Sequence, residues 1–155
     1  MNPFDHYPDG GRTLLGRRTG ASARREYGLR LQRISGQSIC TYCGPDLVSD
    51  YDHWLLLSVD HVVPTGKARR LGIPMDYSED LINLVLSCSA CNGFDNRCRI
   101  VREPQEQWTL EEFVALRNRV FAERAPRIAA RHEQDKAFFE SQPWLDELPD
   151  VAVTR

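Results

Sequence analysis

An acidic residue and a histidine stand side by side inside an apolar run. Residues 55–64 read LLLSVDHVVP, and β-branched and aliphatic residues that end at a proline are typical of a buried strand. Burying Asp60 without a partner would cost several kcal/mol, roughly. One interpretation is a satisfied structural hydrogen bond. The other is a metal ligand beside a general base, because a carboxylate binds hard divalent ions and His61 can accept a proton near neutral pH.

Four of the five cysteines form two C-x-x-C pairs, CTYC and CSAC: Cys40, Cys43, Cys88 and Cys91. Two such pairs are typical of tetrahedral structural zinc, whereas redox use of one pair would need a thioredoxin-like βαβ setting that is absent here. The pattern therefore predicts one structural Zn²⁺. We interpret the fifth cysteine, Cys98, as a small buried apolar residue.

These residues must be positioned by a small number of elements. Residues 12–36 form a basic, broken helical segment, with a helix expected within 21–34, and residues 55–64 are the expected strand. A helix is expected to open at Ser89 on the second cysteine pair. Residues 1–11, rich in Pro, Gly and Asp, are either ordered by contact or loose.

The C-terminal part is expected to be helical. The sequence after Pro104 contains a capping box, Thr109 with Glu112, followed by an apolar stripe. Pro126 is expected to start a further helix, so the two would make a helical hairpin before an acidic tail. The chain thus divides into an N-terminal extension (1–36, basic from 12), a core (37–102) and a C-terminal helical extension (103–155).

The order of these motifs resembles that of the HNH endonucleases, a family with a ββα-metal site. By this resemblance, the four-cysteine zinc knuckle would support the site in this chain. The stretches that carry the resemblance are CTYCG, VDHVVP and NLVLSCSACN, together with the nine-residue interval from Asn83 to Asn92; they lie within 37–102. The resemblance implies a small α+β fold, a ββα-metal core held by a four-cysteine zinc site, with the basic segment and the C-terminal helices added to it.

The resemblance also implies roles for individual residues. His61 would be the general base, and the side-chain carbonyl of Asn83 would orient its ring. The ligands of a catalytic Mg²⁺ or Mn²⁺ would be Asp60, Asn92 and Asn96. The family commonly has a histidine ligand at the position of Asn92, and often a second ligand at that of Asn96. Because both are Asn here, Asp60 is the one anionic ligand, and the set favours hard ions, bound weakly and completed by substrate phosphate.

Each of these residues also has a structural interpretation that the sequence leaves open. Asp60 could bond a knuckle amide, Asn83 could cap a turn, and Asn92 could cap backbone groups beside the zinc.

The charge distribution is compatible with a nucleic-acid partner, although the formal net charge is −2. Between Arg12 and Arg131 there are 18 basic and 14 acidic residues, and 18 of the 20 basic residues of the chain are arginine, which is suited to bidentate phosphate contacts. The residues expected to contact the phosphate backbone of the nucleic acid are Lys67, Arg69, Arg70, Arg97 and Arg99. Seven arginines between Arg12 and Arg33 are either a solvated face or a binding patch. The expected partner is DNA, with RNA as an alternative, and no base-reading motif predicts sequence specificity.

We therefore expect a metal-dependent endonuclease that hydrolyses phosphodiester bonds in DNA. The alternatives are a zinc-knuckle module that binds nucleic acid without cleaving it, and an HNH-like scaffold acting on a different kind of ligand. With no long apolar run and no secretory signal in the sequence, the expected location is cytoplasmic and no membrane partner is expected.

Overall fold

The protein consists of helices arranged around one two-stranded sheet. The computed structural model describes residues 2–94, 99–100 and 102–146. The helices and strands of these ranges are α1 (Tyr27–Ser35), α2 (Tyr51–Leu56), β1 (Leu57–His61), α3 (Thr65–Arg70), α4 (Met75–Ser78), β2 (Leu84–Cys88), α5 (Ser89–Phe94) and α6 (Leu110–Glu140). Short 3₁₀ helices cover Pro3–His6, Pro8–Gly11, Leu81–Asn83 and Pro143–Leu145. This mixture of helix and strand agrees with the expected α+β class.

Strands β1 and β2 pair antiparallel. Their register runs from Leu57 opposite Cys88 to His61 opposite Leu84. The connection between the strands holds α3 and α4, and α5 follows β2 without a break. The hairpin and α5 thus form a small ββα-like unit.

Asp60 and His61 point to opposite sides of this hairpin, because side chains alternate along a strand. On the side of His61, α1 approaches so closely that a Cβ on Gly28 would lie 3.2 Å from Val59 Cγ2. On the side of Asp60, the hydroxyl of Ser58 accepts a hydrogen bond from α5. The sheet is therefore covered by α1 on one face and by α5 on the other.

The N-terminal residues belong to the core. Phe4 and Tyr7 are buried, and the Tyr7 hydroxyl donates to the carbonyl of Leu84 in β2 at 2.5 Å. The rings of Phe4 and Phe121 of α6 meet edge to face, with centroids 6.0 Å apart. Of the two interpretations of residues 1–11, order by contact is the one found.

The predicted strand over 55–64 is too long at both ends, because β1 ends at His61 and residues 62–64 lie outside it. Its first two residues, Leu55 and Leu56, belong to α2, and β1 covers Leu57–His61. Helix α2 begins at an N-cap, Asp50, whose carboxylate accepts from the amide of His53 at 2.9 Å. A cap of this kind stabilises a helical turn by about 1 kcal/mol, so the local signal for helix prevails over the apolar pattern.

The predicted break at Pro126 is wrong, because α6 is one helix from Leu110 to Glu140 that contains this proline. The capping box at its start is confirmed, with Thr109 and Glu112 each accepting from the other's amide. Tertiary contacts hold the helix on both sides of Pro126, through the buried side chains of Arg124 and Ile128. These contacts offset the roughly 3 kcal/mol that an internal proline costs.

Candidate functional site

The four paired cysteines come together as a cluster. The sulfur atoms of Cys40, Cys43, Cys88 and Cys91 all lie within 4.8 Å of one another, and those of Cys43 and Cys88 are 3.9 Å apart. A tetrahedral zinc ion with Zn–S bonds of about 2.3 Å separates its sulfurs by about 3.8 Å. The cluster therefore fits a structural Zn²⁺, which its four thiolates would hold.

The backbone around each cysteine pair positions the sulfur atoms for metal binding. In the first pair, the amide of Gly44 donates to the carbonyl of Cys40 at 2.9 Å, and Gly44 has a φ of 90°, a conformation that side chains disfavour. The amide of Thr41 donates to the carbonyl of Leu86, which joins this turn to β2. Cys88 ends β2 and Cys91 lies in α5, so the second pair spans the corner between strand and helix.

The thiols titrate very differently. A hydrogen bond from Cys88 lowers the pKa of Cys40 to about 4, whereas burial raises the pKa of Cys43 and Cys91. The bond to Cys40, followed by burial, raises the pKa of Cys88. Four neighbouring thiols cannot all ionise without a cation, and a divalent ion would supply the compensating charge.

His61 ends β1 on the side of α1 and is largely buried, with 16% of its side chain exposed. Its Nε2 lies 3.4 Å from a carboxylate oxygen of Glu79, and the same oxygen accepts from Arg18 Nε at 2.5 Å. Burial lowers the pKa of His61; Glu79 opposes this effect and Arg18 adds to it. The imidazole is therefore neutral at pH 7, which is the state that a general base requires.

Asn83 is completely buried and bonds backbone groups, not the histidine ring. Its carbonyl oxygen accepts from the amide of Val63 at 3.0 Å, and its amide nitrogen donates to the carbonyls of Val63 and Ser78 at 3.0 and 2.8 Å. The expected contact with the ring of His61 is thus made by Glu79 instead. Asn83 fastens the backbone directly after His61, so it affects the position of that residue through the chain.

Asp60 lies in a buried ion pair. Its two carboxylate oxygens are 3.2 and 3.0 Å from the terminal nitrogens of Arg124, and one of them also accepts from the Tyr42 hydroxyl at 2.5 Å. The side chains of Asp60 and Arg124 are 5% and 1% exposed. Arg124 donates further to the carbonyls of His61 and Val62. The negative charge of the Asp60 carboxylate is thus neutralised by Arg124 of α6.

This arrangement does not fit an open site for Mg²⁺ or Mn²⁺. The guanidinium of Arg124 occupies the cation's place at Asp60, and Asn92 donates its amide to Ser58 Oγ at 2.8 Å. Asn96 lies outside the described residues. Within the described ranges, the four cysteines are the only group of three or more His, Cys, Asp or Glu side chains close enough to hold an ion.

The basic residues border three grooves. Lys67 and Arg70 line one of about 460 Å³ together with Arg102. Arg99 and Arg119 line another of about 340 Å³. Both grooves include Ile100 in their walls, so they adjoin and form one surface, which is mostly basic but has Glu123 in the second groove.

The remaining two predicted contacts are placed differently. Arg69 borders a third groove, of about 260 Å³, together with Glu79, the partner of His61. Arg69 is thus separated from the groove of Lys67 and Arg70 and lies on the side of the histidine. Arg97 lies outside the described residues.

Sequence reasoning missed the residues that complete the environment of Asp60 and His61: Tyr42, Glu79, Arg18 and Arg124. Tyr42 stands between the two cysteines of the first pair, and Arg124 is 64 positions from Asp60. No local pattern marks either residue as a partner, because the contacts depend on how α6 packs across the hairpin.

No described helix combines the length and the apolar character needed to cross a bilayer. Comparison of the chain with protein-family models, with curated proteins and with solved structures gives no significant match.

Proposed function

We propose that this protein hydrolyses phosphodiester bonds in DNA as an HNH-type endonuclease, with His61 as its general base. The observation that carries the proposal is His61 at the end of β1, with its Nε2 3.4 Å from a carboxylate oxygen of Glu79, a residue that lines a groove together with Arg69. The ββα-like unit and the four-cysteine cluster next to it support the same assignment.

The chain's own residues can perform the proton transfer. The Glu79 carboxylate favours the tautomer of His61 that carries its proton on Nε2, which leaves Nδ1 to take a proton from a water molecule. The Nε2 to Glu79 distance of 3.4 Å is long, as such bonds often are before substrate binds. The hydroxide so formed would attack the phosphorus in line with the leaving oxygen.

Phosphate groups would be held by the basic grooves. Arg69 lines the same groove as Glu79, the partner of His61, and Lys67, Arg70 and Arg102 line a separate groove. Contacts of this type supply affinity without reading sequence.

A catalytic Mg²⁺ or Mn²⁺ at Asp60 would require the guanidinium of Arg124 to move away from that carboxylate. No step of the proposal passes through such an ion. The dependence of cleavage on a divalent ion is therefore an outcome of the experiment.

The test is cleavage of supercoiled plasmid by the wild type and by His61→Ala, with Mg²⁺, with Mn²⁺ and with no added divalent ion. Loss of a general base should slow cleavage about 10²–10⁴-fold. His53→Ala is the matched control, because His53 lies on α2 with its ring paired to Asp50 and should cleave like the wild type. Equal cleavage by His61→Ala and the wild type would remove His61 from the mechanism.

A second candidate is a protein that binds nucleic acid without cleaving it. The buried pair of Asp60 and Arg124 favours it, because it occupies the carboxylate that the resemblance assigns to a metal. In that case no variant cleaves under any ionic condition, and His61→Ala binds DNA as tightly as the wild type, with affinity that falls steeply as salt rises.

A further inference from the structure

A groove of about 650 Å³ between α1 and α2 combines positive charge with an aromatic wall. It is lined by Arg24, Arg25, Arg33, Gln32, Gln37 and Trp54, among others, and none of the described residues in its lining is acidic. Guanidinium and amide groups are donors suited to phosphate oxygens. Its lining shares no residue with the basic grooves near α3 and α6, so it is not part of the site described above.

Aromatic side chains of α2 extend this groove outward as a stack. The guanidinium of Arg24 lies over the ring of Trp54, 5.3 Å from its centroid, and donates to the carbonyl of Leu55 at 2.5 Å. The ring of Tyr51 stacks on that of Trp54, with centroids 6.2 Å apart and an interplanar angle of 27°. Tyr51 is 69% exposed, so most of its ring surface is open to a further planar group.

We propose that this groove binds a single-stranded segment of nucleic acid, with its phosphates on Arg25 and Arg33 and one base stacked on Tyr51. A stacking platform selects unpaired bases, because the faces of bases in a duplex are already covered by their neighbours. Arginine next to an exposed aromatic ring is the usual combination at single-strand sites.

This inference rests on the proposed function, in which the groove would hold the substrate near His61. Helix α2 leads directly into β1, and His61 is at the other end of that strand, about 13 Å away at about 3.3 Å per residue. Helix α1, which forms one wall of the groove, covers the same face of the sheet as His61. A single-stranded nucleic acid held in the groove can therefore extend to His61 over a few nucleotides.

The test is equilibrium binding of a fluorescent single-stranded oligonucleotide of about 12 nucleotides, measured by anisotropy with no added divalent ion. Tyr51→Ala should weaken binding about tenfold, whereas Tyr51→Phe, which keeps the ring, should bind like the wild type. Arg33→Gln should reduce the dependence of log K on log salt by about 0.7, the value for one phosphate contact to a single strand. Its matched control is Arg131→Gln, a neutralised arginine on the exposed part of α6.

The outcomes separate this inference from the proposed function. If the wild type binds the oligonucleotide but Tyr51→Ala and Arg33→Gln bind it as Arg131→Gln does, the groove assignment is wrong and the function stands. If a glutamate-rich peptide displaces the oligonucleotide at equal charge concentration, the site is a general anion surface and the inference is overturned. If the wild type binds neither single strand nor duplex, the proposed function fails as well.

Discussion

At the scale of single residues, the carboxylate of Asp60 is neutralised by Arg124 in a buried ion pair. Removing one partner of a buried ion pair leaves the other charge uncompensated, which destabilises a protein by about 3–5 kcal/mol. We expect Arg124→Ala to lower the free energy of unfolding by this amount in urea denaturation.

The comparison for this prediction is Arg131→Ala, which removes an exposed arginine whose partner is Asp135 in the same helix. Such a pair contributes about 0.5 kcal/mol or less. Replacing both members of the buried pair, in Asp60→Asn with Arg124→Met, should recover part of the loss, because no buried charge remains. A change below about 1 kcal/mol in Arg124→Ala would show that the pair is not closed in solution.

At the scale of elements, the long helix α6 is the part that carries Arg124 to the hairpin, and it does so in spite of Pro126. A proline inside a helix has no N–H for the carbonyl of Ala122 and clashes with it. Pro126 is exposed, so Pro126→Ala should raise the free energy of unfolding by about 1–3 kcal/mol. Lys136→Ala, exposed in the same helix, should change it by less than about 0.5 kcal/mol. A decrease in the free energy of unfolding in Pro126→Ala would mean that the packing of α6 needs proline at this position.

At the scale of the whole molecule, the cysteine cluster connects the segment before the hairpin to the corner after it. The binding free energy of a structural zinc is folding free energy, about 10–16 kcal/mol in small zinc domains. We expect one zinc per chain and loss of the cooperative thermal transition when a chelator removes it. Cys91→Ser should lose zinc, whereas Cys98→Ser, outside both pairs, should keep it. Retention of the thermal transition without metal would show that the apolar core suffices alone.

The features that depend on residues close together along the chain were predictable from the sequence. The two C-x-x-C pairs predicted a cluster able to hold zinc, because each pair needs only a tight turn to present two sulfurs. The capping box predicted the start of α6 at Thr109, since cap and helix are three residues apart. The apolar run predicted a strand that contains Asp60 and His61, although neither its first nor its last residue.

The groups that neutralise and orient these two side chains are set by tertiary packing. Arg124 reaches Asp60 across 64 positions, and Glu79 reaches His61 across 18; no local pattern encodes contacts that depend on helix packing. For the same reason the helix continues through Pro126, where burial on both sides outweighs a local preference of about 3 kcal/mol. An arginine looks the same in sequence whether it binds phosphate or a buried carboxylate, and its neighbours in space decide between these roles.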